Sequence, residues 1–405
     1  VSSSAVRYHA LDGLRAVMML LGLVIHAAVS YMTLPAHEEV WRFRGVQTSA
    51  FFDYVVFYIH VFRMPIFYVI AGFFAALLYL RRGPGGLARN RIYRVAVPFA
   101  VGWIILMPLT EAGFHFAIAA QQSTLANGWN AAVASLTSLS IFADTTLHLW
   151  FLYYLLMFYA FVLVAGPLLR ALPGVFRRTA KSAFGAALES PFRALLFAIP
   201  TTLTLWPMPE GNLQTSISFV PDLNTFAAYA VFFVFGWLLY ERRDELHTFQ
   251  QYAWTQVILA TFLVPLNTEA ALRAALSEGT DAGAHATAAI SGAVMVWLLV
   301  FGITGLFLRY FDRPSPVVRY IVDSSYWLYL LHLPFTIWLP GLMTQVSWSA
   351  GTQFLVILAV MTPILLLSYD VLVRPTAIGA LLNGRRYPRG LPQLDDDGLP
   401  RATQS

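Results

Sequence analysis

The 405-residue sequence contains no cysteine. That excludes disulfides, thiolate metal sites and an acyl-cysteine intermediate, so any covalent chemistry must use another group. Charge is scarce as well: Asp, Glu, Lys and Arg make up 12% of the chain, against about 25% in soluble domains. Lys181 is the only lysine among 26 cationic residues. The G-x-x-x-x-G-K-[ST] phosphate loop, the G-x-S-x-G elbow, the H-x4-D signature of glycerolipid acyltransferases and any H-x-x-x-H or H-x-x-H pair are all missing. These absences argue against a P-loop nucleotide site, a serine-hydrolase nucleophile and a zinc site, and no metal is expected.

What remains is apolar. Hydrophobic residues are 58% and aromatics 15% of the chain, with a mean hydropathy of +0.63, which excludes a single water-soluble domain. Runs long enough for about 30 Å of hydrocarbon lie near residues 10–31, 51–80, 92–110, 148–169, 192–207, 223–240, 251–267, 285–309, 319–340 and 352–374. The fifth is the weakest, interrupted by Pro200 and Pro207. The first run lacks a small-residue cleavage pattern and is expected to persist as a helix.

The expected fold is an all-α polytopic membrane protein, a bundle of about ten transmembrane helices with both termini cytoplasmic. With the N-terminus inside, 21 of the 26 cationic residues fall on the inner side and Arg42, Arg44 and Arg273 on the outer side, while Arg15 and Arg63 lie within spans. Such a bias is the positive-inside signal, so the net charge of +5 reads as topology and not as a nucleic-acid surface. Residues 1–384 form the membrane domain. Residues 385–405, with three aspartates at 395–397 and little to bury, are expected to form a disordered cytosolic tail.

Ionisable residues inside spans are costly and mark function by default. Arg15 and His26 are eleven residues apart on the first span, about 16 Å and three turns, so they share a face. His60 and Arg63 are neighbours on the second span, and Arg63 needs a partner such as Asp53, a carbonyl, water or an anion. Arg91 and Arg94 open the third span three residues apart, either as ordinary anchors or as a bidentate phosphate clamp. His148 and Trp150 open the fourth span, and the ninth carries Tyr326 and His332. The histidines His26, His60 and His332, with His148 above them, suit a proton relay or a general-base pocket.

Together these strings resemble the type-3 family of membrane acyltransferases, from Asp12 to about Pro334. The family's Arg/Lys-x10-His pattern is met by Arg15 and His26, and its F-x-x-S-G-F stretch is approached by Phe67 to Phe73, one residue longer and with Ala71 where serine is usual. Its R-x-x-R is met by Arg91 and Arg94, its H-L-W-F-L by His148 to Leu152, and its S-Y-x-x-Y-L-x-H-x-P by Ser325 to Pro334. Within the family, Met18 to Gly22, Ile59 to Met64 and His148 to Leu152 are most similar to the branch that succinylates osmoregulated periplasmic glucans.

The resemblance implies an acyl-CoA-dependent enzyme of the bacterial inner membrane with no permanently bound cofactor and no nucleic-acid partner. It acts beside membrane lipid on an outer carbohydrate hydroxyl, with succinyl-CoA the favoured donor. The CoA phosphates would stay on Arg91 and Arg94 while the slim pantetheine arm passes Arg15. His26 would be the general base, Arg63 or His60 would meet the oxyanion, and His148, Trp150, Tyr326 and His332 would contact substrate. Trp41, Trp129, Trp206, Trp338 and Trp348 could stack on sugar rings or form the interfacial belt. Arg42 and Arg44 suit an anionic glucan, or pair with Glu38 and Glu39. Two other readings stay open: O-acetylation of another polysaccharide, lipid or small molecule, and a proton-coupled transporter or flippase built on the same intramembrane charges.

Overall fold

The computed structural model describes residues 8–34, 41–138, 142, 144–171, 173–277 and 280–392, apart from the side chains of 169 and 170. Among these the secondary structure is helical, and the only β-type pairing is one bridge between Thr145 and Ser218. Each of the ten apolar runs coincides with a helix: α1 (His9–Val29), α2 (Ala50–Arg91), α3 (Val97–Gln122), α5 (Trp150–Ala171), α7 (Arg193–Leu205), α8 (Leu223–Glu241), α9 (Ala253–Leu276), α10 (Ala282–Tyr310), α11 (Pro316–Leu342) and α12 (Ala350–Ser368). Small polar residues start several of them. Asp222 accepts from Thr225 N, Asp281 from Ala284 N and Ser349 from Thr352 N, satisfying amides that have no intrahelical partner.

Seven helical stretches are long and apolar enough to cross a membrane, and one of them, Ala50–Gln122, contains both α2 and α3. Large apolar side chains such as Leu203, Phe262 and Leu355 are exposed on the outside of the bundle, as a lipid-facing surface requires. The protein is a multi-pass membrane protein. Two expected spans fall outside those seven. α7 has 13 residues, about 20 Å and short of the hydrocarbon thickness. α11 is long enough at 27 residues but carries Arg319, Asp323, Ser324, Ser325 and His332, and this polar content lowers its hydropathy.

Segments expected as connections are helical too. The Gly-Pro-Gly-Gly stretch after residue 82 does not form a free loop. The backbone leaves helical geometry only at Gly83 (φ 70°, ψ 178°), and α2 resumes through Pro84 to Arg91. The segment expected outside at 111–147 is the end of α3 followed by α4 (Leu125–Leu136). α4 lies close against α3, where a side chain at Gly128 would come within 2.9 Å of Ala120 Cβ. α6 (Gly174–Glu189) covers the connection before α7, and α13 (Ala377–Asn383) follows α12.

Two single turns of wider π-helix interrupt the bundle, Ile92–Ala96 before α3 and Tyr369–Val373 after α12. α2 and α8 cross at Gly72 and Gly236, so closely that a methyl group on either would overlap the backbone carbonyl of Phe233 or Val69. That contact fixes the helix carrying Arg63, Phe67 and Phe74. In the segment 385–392, read from composition as the start of a disordered tail, individual residues contact the helices. Tyr387 is buried and donates its N–H to Arg374 O, and Arg389 pairs with Asp370. Residues 393–405 lie outside the described residues.

Candidate active site

A cavity of about 530 Å³ lies at the end of the bundle where α1 and α11 begin and α2 ends. Five arginines line it: Arg15, Arg91, Arg94, Arg319 and Arg385. Two are neutralised on their own helices, Arg15 by Asp12 at 3.5 Å and Arg319 by Asp323. Among the described residues no carboxylate lies within ion-pair distance of Arg91, Arg94 or Arg385, so this mouth is strongly cationic. The π-turn at Ile92 separates Arg91 from Arg94 by a wider arc than a regular helix would, and both still reach the cavity. Arg91 stacks over Tyr159 at 4.5 Å, and the Arg94 guanidinium presses on Gly384.

Deeper in, the walls turn apolar, with Met19, Phe67, Ile70, Phe151, Leu152 and Leu155. A cavity lined by arginines and by apolar side chains can hold a phosphorylated headgroup that carries a neutral arm. Residues 15, 19, 22 and 26 of α1 share one face. Along it, Arg15 and Met19 line the cavity, Gly22 lies under the guanidinium of Arg63, and His26 comes next. A side chain at Gly22 would approach Arg63 Nη2 to 2.9 Å, so glycine leaves room for the charge. Arg63 is buried and donates from Nε to Met18 O at 3.1 Å. Among the described residues it has no carboxylate partner, and Asp53 instead accepts from Thr33 and the Leu34 amide.

His26, His148 and His332 gather on three elements. His26 Nδ1 is 2.7 Å from His332 Nε2, and His332 Nδ1 is 2.6 Å from Tyr329 O. A carbonyl only accepts, so His332 carries its proton on Nδ1 and its Nε2 is an acceptor. His26 must then donate from Nδ1, which leaves a lone pair on its Nε2. His148 donates from Nε2 to Leu330 O at 3.0 Å, and Tyr329 Oη donates to His148 O at 2.8 Å. The turn presenting His148 is strained, with Leu147 at φ 49°. Thr146 holds it through two hydrogen bonds to Ile217 O.

Trp41 packs against His26. Its indole stacks on His26 at 5.9 Å and 6° and donates to Ser30 Oγ at 2.9 Å. The segment bearing it is pinned by Gly45 N–H to Ser30 O, by Gln121 to Arg44 O, and by the ion pair of Arg42 with buried Glu111.

The structure therefore brings Arg15, Arg91 and Arg94 together with Tyr326, and His26 together with His148 and His332. The other expected residues are placed as follows. His60 hydrogen-bonds the backbone of Leu213 and is not among the three histidines in ring contact. Trp150 packs on Tyr154 and Tyr229 and does not line the cavity. Tyr326 is at the cationic end, donating to Arg94 O at 3.0 Å. His332 has no exposed surface and both ring nitrogens are taken, so it offers none to a substrate. Arg42 pairs with Glu111, and Arg44 donates to Thr33 O. Glu38 and Glu39 lie outside the described residues. Trp129 and Trp338 pack with Phe116 and each other, and Trp41 is buried.

Sequence reasoning missed Arg385, Tyr159 and Phe74 in the cavity, and the stacking of Trp41 on His26. Only the Arg319/Asp323 pair left a trace in the sequence, as an i, i+4 spacing.

The sequence matches the family described as "Acyltransferase domain" over residues 8–373. The protein belongs to this acyltransferase family. The acyltransferase is also similar to "Glucans biosynthesis protein C" of Salmonella schwarzengrund strain CVM19633, Salmonella typhi and Salmonella typhimurium strain LT2. Each is 25% identical over 398 residues, covering 95% of this chain and 96% of the relative. No solved structure matches it. The shared family places the cationic cavity and the histidine cluster inside the acyltransferase domain, since all their residues but those from Arg374 onward fall within the matched range.

Proposed function

We propose that the protein moves an acyl group, with succinyl favoured, from cytosolic acyl-CoA to a hydroxyl of an extracytoplasmic carbohydrate such as an osmoregulated periplasmic glucan. One observation carries the reading: a single face of α1 joins an arginine-rimmed, apolar-walled cavity at Arg15 and Met19 to a histidine with a free lone pair at His26. The seven residues from Met19 to His26 rise about 10 Å, a distance for an extended acyl-pantetheine arm to bridge while its phosphates stay on Arg91, Arg94 and Arg385. The name shared by the relatives supports a glucan as acceptor, and a bacterial inner membrane, with the arginine end in the cytosol, agrees with the charge bias.

In this reading His26 Nε2 takes the proton of the acceptor hydroxyl as its oxygen attacks the thioester carbonyl. Arg63, the buried cation one turn away on that face, meets the oxyanion that develops. The carbon–sulfur bond then breaks, the CoA thiolate takes the proton from His26, and the ester and free CoA leave. His148 Nδ1, buried and without a hydrogen-bond partner, is placed to accept from a second hydroxyl of the acceptor.

Binding of succinyl-CoA to the purified protein tests the donor. A protein that binds none favours the transporter reading. His26→Ala should still bind the donor but lose transfer by about 10²-fold or more. Periplasmic glucans from a deletion strain, analysed by mass spectrometry, should lack succinyl groups. Glucans that keep every succinyl would refute the acceptor, and loss of acetyl would correct the donor.

A further inference from the structure

We infer that His332 is a positioning residue that sets the tautomer of His26, so that a lone pair and not an N–H faces the reacting hydroxyl. The inference rests on the reading of His26 as the general base. Neutral imidazole in water favours the proton on Nε2, the form with no lone pair at that nitrogen. Here the chain of contacts runs the other way. The Tyr329 carbonyl fixes the proton of His332 on Nδ1, His332 Nε2 becomes an acceptor, and His26 is obliged to place its proton on Nδ1. Both ends of this chain are rigid. Tyr329 lies on the same helix as His332, three residues earlier, and its hydroxyl is tied to His148 O. On the other side Trp41 lies parallel to the His26 ring, 6° from coplanar, which restrains the ring from turning over.

A histidine suits this place better than the carboxylate that orients many catalytic imidazoles. His332 has no exposed surface, and an ionised carboxylate there would carry a large desolvation cost. A neutral imidazole supplies the same acceptor without a buried charge. When His26 gains the hydroxyl proton on Nε2, its Nδ1–H still has His332 Nε2 to donate to, so the transient imidazolium keeps its partner. His332 thus acts through His26 and touches no substrate.

The test uses the full-length protein in lipid bilayers with ¹⁵N-labelled histidine, the His26 signals being identified by their loss in His26→Ala. In the wild type His26 should show a protonated Nδ1 and an unprotonated Nε2. His332→Gln, whose Oε1 reaches the position of Nε2, should keep that pattern. His332→Leu removes the acceptor, and His332→Asn keeps the bond to Tyr329 O but cannot reach His26. Both should move the His26 proton to Nε2, and the asparagine variant serves if leucine prevents folding.

In transfer assays with succinyl-CoA, the leucine and asparagine variants should lose kcat by about 10²-fold at a KM within about twofold of wild type, with glutamine recovering at least about tenfold. A wild-type His26 protonated on Nε2, or an asparagine variant with unaltered kcat, overturns the inference. An active His26→Ala protein instead overturns the reading of His26 as base.

Discussion

The cationic rim makes a quantitative prediction, because its five arginines are not electrostatically equal. Asp12 and Asp323 already neutralise Arg15 and Arg319, whereas Arg91, Arg94 and Arg385 face the cavity with no carboxylate within reach among the described residues. A phosphate arriving there gains new charge-assisted hydrogen bonds and does not compete for occupied ones. Such bonds contribute about 1.5–3 kcal/mol each, and the lower figure applies to Arg91 and Arg94, which are half-buried. About 1.4 kcal/mol is a factor of ten, so Arg91→Gln and Arg94→Gln should each weaken succinyl-CoA binding about tenfold. The double variant should fall short of the product, because neighbouring guanidiniums share the same phosphates.

Arg89 supplies the control. It is exposed on the last turns of α2, close in sequence to the clamp, yet does not line the cavity. Arg89→Gln should change affinity by less than about threefold, in line with a screened surface charge. The assay is equilibrium titration of the purified protein with succinyl-CoA at low and high salt. Wild-type affinity should fall as salt rises, and that dependence should flatten in the double variant. Equal losses in Arg89→Gln and Arg94→Gln would mean that the whole arginine-rich surface attracts the ligand without a built site. Unchanged affinity in the double variant would return both residues to membrane anchoring.

Three further outcomes are expected. Gly236→Ala should force α2 and α8 apart and cost about 2–3 kcal/mol, read as a lower melting temperature together with reduced succinyl-CoA affinity, since α2 forms a wall of the cavity; a neutral result would refute the close crossing. Arg42→Ala should lower thermal stability more than Glu111→Gln, because it strands a carboxylate that is 6% exposed while the reverse change leaves a half-exposed guanidinium that water can reach. Asp281 caps α10, and the Ala284 amide, with Arg273, holds its carboxyl below the usual range. Its contribution is present above the unfolded pKa and is lost as pH falls through the lower folded value. Hydrogen-exchange protection of the first amides of α10 should therefore drop in acid and become independent of pH in Asp281→Asn.

Much of the site was legible because α1 is a straight helix. Eleven residues between Arg15 and His26 bring both to one face whatever the rest of the chain does, and the structure adds Met19 and Gly22 between them on that face. Arg91 and Arg94 were readable for a similar reason, though the π-turn that sets their spacing has no signature in composition. The sequence was silent where placement depended on neighbours from other helices. His60 has the same credentials in sequence as His332, an ionisable residue inside a span, but α2 turns it towards Leu213 while α11 brings His332 against His26. Trp150 sits two residues from His148 and points elsewhere, because the strained turn at Leu147 aims only the histidine at α11.

By itself the sequence determined that the chain is a helical membrane protein and that it belongs to an acyltransferase family, since hydropathy and helical spacing are local properties. Only the tertiary structure decided which arginines line one cavity, which histidine packs against His26, and which indole stacks on it. Each of those depends on contacts between residues up to 306 positions apart in the chain, as His26 and His332 are. The neighbours of a side chain from other helices are chosen by the crossing of helices at small residues such as Gly22, Gly72 and Gly236.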